Sequence, residues 1–131
     1  PALKEGRETP RTPQACWEFN KWVRDQVDAY VIRVDGLPAG FVFIMDDQSL
    51  MPLGREHELM DFYVTPKYRR QGVGELAARL AFETRRGRWV LYQLRPNYPA
   101  RKFWTKVLKD YTGGRFTTAE RDYDVMQQFE N

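Results

Sequence analysis

Phe62-Tyr63-Val64-Thr65-Pro66-Lys67-Tyr68-Arg69-Arg70-Gln71-Gly72-Val73-Gly74 is the stretch on which the fold turns. It opens on the end of an apolar run and stops at a proline. It then gathers cations at Lys67, Arg69 and Arg70 and closes on two glycines at alternate positions. Helical spacing follows at once, with Val73, Leu76, Ala77, Leu80 and Ala81 on one stripe. A strand therefore hands over to a helix through a basic, glycine-bearing turn. The first N–H groups of a helix have no internal partner, so they can point at an anion, and the helix dipole favours negative charge there. Glycine removes the Cβ that would hold phosphate oxygens off the backbone. Arg69–Gly74 is expected to be a pyrophosphate-binding turn. A plain tight turn before a helix explains the two glycines equally well at this point.

The missing residues narrow the ligand. A dinucleotide-binding turn carries a third glycine, which is absent at Leu76-Ala77. An ATP-type loop ends in Gly-Lys-Ser/Thr, and none follows here.

Upstream, Glu56–Val64 has the character of a strand. Strict alternation would put Glu58, Met60, Phe62 and Val64 on one face and His57, Leu59, Asp61 and Tyr63 on the other. Asp46–Arg55, with Pro52 and Gly54, is expected to be loop. Before it, Tyr30–Val34 and Phe41–Ile44 flank Asp35-Gly36, which predicts a hairpin. Pro38 and Gly40 are expected to delay its second strand. Thr12-Pro13 is a helix start, and Cys16, Phe19, Val23, Val27 and Tyr30 recur at helical spacing, which predicts a helix over about 13–27. Residues 1–11 are polar and expected to be poorly ordered.

Downstream, the helix is expected to end near Arg86-Gly87, with Gly87 as its C-terminal cap. Trp89–Leu94 is a largely apolar strand and should be central. Ala100, Phe103, Trp104, Val107, Leu108 and Tyr111 mark another helix, stopped by Gly113-Gly114. Arg115–Ala119 and Tyr123–Phe129 form an expected antiparallel pair. The strand-helix-strand unit around Gly72 requires a right-handed parallel connection, whereas the hairpins require antiparallel pairs. The fold class is thus α/β, a mixed sheet with helices on its faces.

Composition agrees. A chain of 131 residues suits one domain spanning 1–131. The aromatic share of 15% is high, so Trp and Phe should supply much of the core. A net charge of +3 mildly favours an anionic ligand. Nucleic acid is not an expected partner, because the basic residues are spread along the chain. Their one dense run, Arg85-Arg86-Gly87-Arg88, suits a solvated helix end. Cys16 is the single cysteine, so no intrachain disulfide forms, and a reducing, cytoplasmic setting is expected. Its place on an apolar helix face predicts packing rather than chemistry. No apolar run approaches the roughly 20 residues of a membrane span.

The quoted stretch closely resembles the signature of the GNAT superfamily of N-acetyltransferases. That signature reads Gln/Arg-x-x-Gly-x-Gly/Ala, matched by Arg69, Gly72 and Gly74. Asn97-x-x-Ala100-x-x-Phe103-Trp104-x-Lys106 resembles the family's second segment, Asn-x-x-Ala-x-x-x-Tyr-x-Lys. The likeness spans roughly residues 30–111. The segments at 87–89 and 111–114 look like a little-characterised bacterial branch. The resemblance implies acetyl-CoA as donor, no metal, and a small-molecule or protein amine as acceptor. It implies that Arg69, Arg70, Gln71, Gly72, Val73 and Gly74 hold the pyrophosphate. Phe62, Tyr63 and Val64 would pair with the pantetheine arm as with a peptide strand. Asn97 would bond that arm where the strand at 89–94 splays away, with Ala100, Phe103 and Trp104 beside it. Asn97 also suits a helix N-cap, with Pro99 in the first turn.

Acetyl transfer to an amine needs a base, an oxyanion donor and a proton for the leaving thiolate. Glu58 is the first candidate base, placed where some members carry a catalytic glutamate. Surroundings such as Met60, Phe62 and Val64 favour a neutral carboxyl. Asp61 and Glu56 are alternatives, and His57 is expected on the opposite face. The family's usual oxyanion donor falls at the Val64 N–H. The family's acidic tyrosine is replaced by Trp104, whose indole has no usable acidic proton. Tyr98 or Tyr92 can substitute, or water. One helix and no evident strand precede the hairpin, so the expectation is a GNAT-like fold shortened at the N-terminus, either because the sequence is cut short there or because a homodimer partner completes the acceptor pocket. Two functions stand open at this level: an acetyl-CoA-dependent N-acetyltransferase, and an acetyl-CoA-binding or sensing module without catalysis.

Overall fold

The computed structural model describes residues 27–46 and 56–131. The expected helix at 13–27 with Cys16 lies outside the described residues but for Val27, which is not helical, and Tyr30 of its stripe belongs to the first strand. The polar segment 1–11 and the loop residues 47–55 also lie outside, while Asp46, expected in that loop, ends the second strand.

Strands β1 (Asp28–Val34) and β2 (Leu37–Asp46) form the hairpin. Its turn is Asp35-Gly36, with φ of 51° and 80°. Two positive φ values give a turn whose twist matches that of the flanking strands. The second strand was expected to start near Phe41, yet it starts at Leu37. Pro38 is tolerated because the ladder shifts register between Ile32 and Arg33, its partner. Gly40 does not weaken the strand but permits it. A Cβ there would lie 2.0 Å from the Tyr63 carbonyl oxygen, so only glycine lets the neighbouring strand approach.

That neighbour is β3 (Glu56–Val64), antiparallel to β2. The pairs Val42↔Phe62 and Phe43↔Asp61 are followed by Ile44↔Leu59, so Met60 is one residue too many. A bulge of this kind resets the alternation of side chains. The expectation that Glu58, Met60, Phe62 and Val64 share a face is therefore corrected. His57 and Leu59 lie on the same face as Phe62 and Val64, where Leu59 and Phe62 oppose the core residues Ile44 and Val42 of β2. Glu58, Asp61 and Tyr63 occupy the other face, across from Met45, Phe43 and Phe41.

Helix α1 (Val73–Glu83) crosses over to β4 (Arg88–Leu94), which runs parallel to β3. Gly87 does not cap this helix as expected. The helix ends earlier, at Thr84, whose Oγ1 donates to the Ala81 carbonyl at 2.6 Å. Helix α2 (Tyr98–Thr112) ends at Gly113 and Gly114, with φ of 67° and 92°. Strands β5 (Phe116–Glu120) and β6 (Asp124–Glu130) form the expected final pair. Among the described residues the sheet order is β1-β2-β3-β4-β6-β5, with β4 central as expected.

Both helices cover one face of the sheet. Ala78, Ala81 and Phe82 of α1 meet Trp104, Val107 and Leu108 of α2 over Val42, Ile44, Leu59, Trp89, Leu91 and Phe129. Phe82 is fully buried, with the Trp89 ring at 5.2 Å and the Phe129 ring at 4.8 Å. As the composition suggested, aromatic rings hold the centre.

A polar network fastens the rim of this core. Buried His57 sets Nδ1 at 2.7 Å from the Asp46 carboxylate and Nε2 at 2.9 Å from the Arg86 carbonyl. Arg85 donates through Nε to both Asp46 oxygens at 2.9 Å and through a terminal nitrogen to Asp28. Three strands are thereby tied to the end of α1. Burial raises the Asp46 carboxyl, but the hydrogen bonds from Arg85 and His57 outweigh it and hold the group below its ordinary 3.8. A carboxyl depressed by folding contributes stability that is complete above the ordinary value and is lost as pH falls through the folded one. Urea unfolding should thus show the gap between wild type and Asp46→Asn closing as pH drops from 6 to 3. A gap that stays constant would show that Asp46 is not the titrating group.

Candidate functional site

Strands β3 and β4 pair at only three positions, Glu56↔Arg88, His57↔Trp89 and Glu58↔Val90. Beyond Glu58 they part: β3 stays with β2, and β4 stays with β6. Thr65 N–H donates to the Ala39 carbonyl on the β2 side at 2.8 Å. In-plane groups of successive strand residues point to opposite edges. The N–H and C=O groups of Phe62 and Val64 consequently face the gap that β4 has left. Arg69 Nε reaches into this gap to bond the Val64 carbonyl at 2.8 Å. The result is a short open strand edge of the kind that accepts an extended partner.

The gap is a wedge of about 240 Å³ between Leu59–Phe62 and Leu91–Leu94, closed by Asn97, Ala100 and Trp104. It runs into a cleft of about 660 Å³ that includes Val64, Arg69, Arg70, Gly72, Gly74 and Phe103. The two share Phe62, Asn97, Ala100 and Trp104 and form one groove.

At the outer end of the groove the chain makes a 3-10 turn at Pro66–Tyr68 and then reverses. Arg70 and Gly72 both adopt left-handed conformations, with φ of 62° and 80°. For Gly72 that geometry carries no steric penalty. Gly72 is the N-cap of α1 and brings no side chain over the helix end. Leu76 N–H is bonded back to the Gly72 carbonyl at 3.1 Å, so the N–H groups of Val73, Gly74 and Glu75 form the helix's donor end. Gly74 keeps this end close to α2: a Cβ there would be 3.2 Å from the Phe103 ring. Arg69 also lies over the Tyr63 ring at 5.3 Å. Gln71 closes the turn from outside, donating to the Lys67 carbonyl at 2.8 Å. Neither Gln71 nor Val73 lines the groove.

Asn97 caps α2, its side chain accepting from Ala100 N–H at 3.2 Å, with Pro99 in the first turn. Trp104 is buried to 7% exposure, edge-on to Phe62 at 5.0 Å. Its place is at once in the core and in the groove wall.

Three polar residues stand where the strands fork, on the face opposite the helices. Glu58 belongs to the last β3–β4 pair, Asp61 follows the bulge, and Tyr92 is two residues past Val90 on β4. Burial raises the Tyr92 hydroxyl above its ordinary 10.0; the negative charges of Glu58 and Glu56 add to this, and Arg121 opposes it. Tyr98 is placed differently. It is 67% exposed beneath the Arg101 guanidinium, and it lines neither part of the groove.

Sequence reasoning passed over Gln93. It is 5% exposed, lines the wedge, and neither atom of its side-chain amide has a hydrogen-bond partner among the described residues. The signal was a polar residue in the covered register of β4, after Trp89 and Leu91.

A strand fork flanked by a glycine turn and an asparagine-capped helix is the arrangement that the motifs implied. Residues 2–109 match the family model described as acetyltransferase (GNAT) family, and the chain belongs to that family. Among solved structures it is similar to the Paia N-acetyltransferase of Thermoplasma acidophilum in complex with coenzyme A. That likeness has 17% identity and a TM-score of 0.62 over 89% of this chain and 71% of the other. It is also similar to a Bacillus subtilis acetyltransferase in complex with CoA, at 11% identity and a TM-score of 0.66, over 87% and 83% of the two chains. A third is a putative streptothricin acetyltransferase from Bacillus anthracis in complex with acetyl coenzyme A. It has 18% identity and a TM-score of 0.58, over 81% and 63% of the two chains. No curated protein matches the chain. The expected GNAT-like mixed α/β fold is borne out. Among the described residues, no group of three or more His, Cys, Asp or Glu side chains is placed to hold a metal, and no helix is long and apolar enough to cross a membrane.

Proposed function

We propose that this chain transfers an acetyl group from acetyl-CoA to an amine. The observation that carries this reading is the continuous groove joining the open edge of β3 to the donor end of α1. The residues fit the donor. The N–H groups of Gly74 and Glu75 at the donor end of α1, with Arg70 nearby, suit a pyrophosphate. The Phe62 and Val64 backbone suits an extended arm bearing amides. Bound acetyl-CoA supplies the activated acetyl thioester. Glu58 takes the amine proton, directly or through a water, with Asp61 on the same face as the alternative base. The Val64 N–H faces the charge that builds on the carbonyl oxygen. Tyr92 keeps its proton through the neutral range and stands nearer the fork than Tyr98, so Tyr92 is the stronger candidate to protonate the departing thiolate. An amine acceptor is favoured because one structural neighbour is named an N-acetyltransferase.

The test has two parts. CoA at a hundred times its Kd should stabilise the folded chain by about 2.7 kcal/mol, a shift of several degrees in Tm. Acetyl-CoA with a panel of amines should then release thiol in an amine-dependent way. Trp104, in place of a titratable acid, favours a second reading, a CoA-binding module without turnover. Stabilisation without thiol release from any amine would select that second reading. No shift with CoA would remove both.

A further inference from the structure

We infer that Gln93 is a ligand-binding residue of the wedge, where its carboxamide makes a paired hydrogen bond with a secondary amide of the pantetheine arm. The inference rests on the groove being the site for a CoA thioester.

Gln93 lies three residues past Val90, the last β4 residue paired with β3. On its other side β4 remains in register with β6, through Gln93↔Val125. Its main chain is thus anchored while its side chain sits at the fork. The side chain is more than nine-tenths buried, and both Nε2 and Oε1 lack partners among the described residues. Buried amides in folded proteins are nearly always bonded, so an orphaned pair of atoms facing a cavity points to a ligand group that completes them. The missing partner must both donate and accept. Phosphate and thioester oxygens only accept, and an ammonium group only donates. A secondary amide does both, and the pantetheine arm carries two of them.

The surrounding groups reinforce the assignment. Asn97 spends its Oδ1 on the Ala100 N–H, so its side chain chiefly offers Nδ2 as a donor. Leu59, Phe62, Leu91 and Trp104 are apolar over most of their surface. Gln93 accordingly adds, from a side chain on the covered face of the wedge, both a donor and an acceptor beside the open main-chain groups of β3. Its burial makes the bond selective, because a ligand lacking the amide leaves both atoms unpaired.

The experiment compares calorimetric Kd values for CoA and for its nucleotide half, adenosine 3′,5′-bisphosphate, in wild type, Gln93→Met and Gln93→Asn. Methionine keeps the volume but not the hydrogen bonds; asparagine keeps the amide but withdraws it by one methylene. Both variants should weaken CoA by about tenfold, the worth of one to two such bonds, and leave the nucleotide unchanged. The ligand-free Tm of Gln93→Met should hold or rise, because a buried unpaired amide has been removed. Equal CoA affinity in wild type and both variants overturns the role of Gln93 while leaving the groove reading intact. A parallel loss for CoA and the nucleotide also overturns it, as a general effect on the fold. Failure of wild type to bind CoA overturns the groove reading and this inference together.

Discussion

Replacing Trp89 by alanine is expected to remove about 3–5 kcal/mol of folding stability, the usual cost of truncating a large buried aromatic side chain. Trp89 is fully buried in the middle of β4. Phe82 meets it edge-on at 5.2 Å, His57 lies at 5.2 Å, and Phe129 is stacked at 6.3 Å with an interplanar angle of 3°. Its indole N–H donates to the Arg85 carbonyl at 3.3 Å, just where α1 turns into β4. Truncation opens a void bounded by α1, β3 and β6, which cannot close without moving the sheet. Native domains are stable by about 5–15 kcal/mol, so a large part of the folded population is at stake. Urea unfolding should place the variant midpoint more than about 1 M below wild type, given typical slopes of about 1–3 kcal/mol per molar. A loss under about 1 kcal/mol would mean that the core relaxes into the void, and that the ring cluster is not what fixes the sheet.

The same cluster explains how much of the fold was legible in the sequence. The pattern Trp89, Leu91 with α2 residues Trp104, Val107 and Leu108 announces a central strand under a helix, because each element's period is a local property. The Arg69–Gly74 turn was legible for a similar reason: a left-handed Gly72 before a helical stripe is a feature of one short segment. The faces of β3 were not legible. Nothing in Glu56–Val64 marks Met60 as an extra residue, since a bulge is set by how two strands pair. One slipped residue exchanges the two faces, so Phe62 and Val64 join the helix side while Glu58 does not. The early start of β2 has the same origin, since Gly40 is explained by its close approach to Tyr63. Gln93 looked like an ordinary strand residue, because burial without a partner is a property of the packed fork alone.

Glu58→Gln is expected to lower kcat/KM by about 10²–10⁴-fold, the range for losing a positioned general base. The bulge strengthens this expectation. Had alternation held through Met60, Glu58 would have shared the covered face with Phe62 and Val64, beneath the helices. Instead it stands on the opposite face at the fork, with Asp61 beyond the bulge and Tyr92 across on β4. The Tyr92 hydroxyl responds to the Glu58 charge, so the two groups are electrostatic neighbours. A carboxylate and a phenol beside the open strand edge can receive one proton and deliver another. Glutamine keeps the shape and loses only the basicity, so CoA affinity should stay within about twofold of wild type, because the pyrophosphate and arm contacts lie elsewhere. The pH profile separates a base from a merely structural residue. A carboxylate acts as a base only when ionised, so wild-type kcat/KM should fall on the acid side, and that limb should vanish in Glu58→Gln. Tyr92→Phe should give a smaller loss, since a thiolate leaves tolerably well without a proton, and should alter the alkaline limb, which the raised hydroxyl places above 10.0. If Glu58→Gln keeps both its rate and its acid limb while Asp61→Asn loses them, the base lies one bulge further along the strand. If neither substitution changes turnover, the chemistry does not use the fork at all.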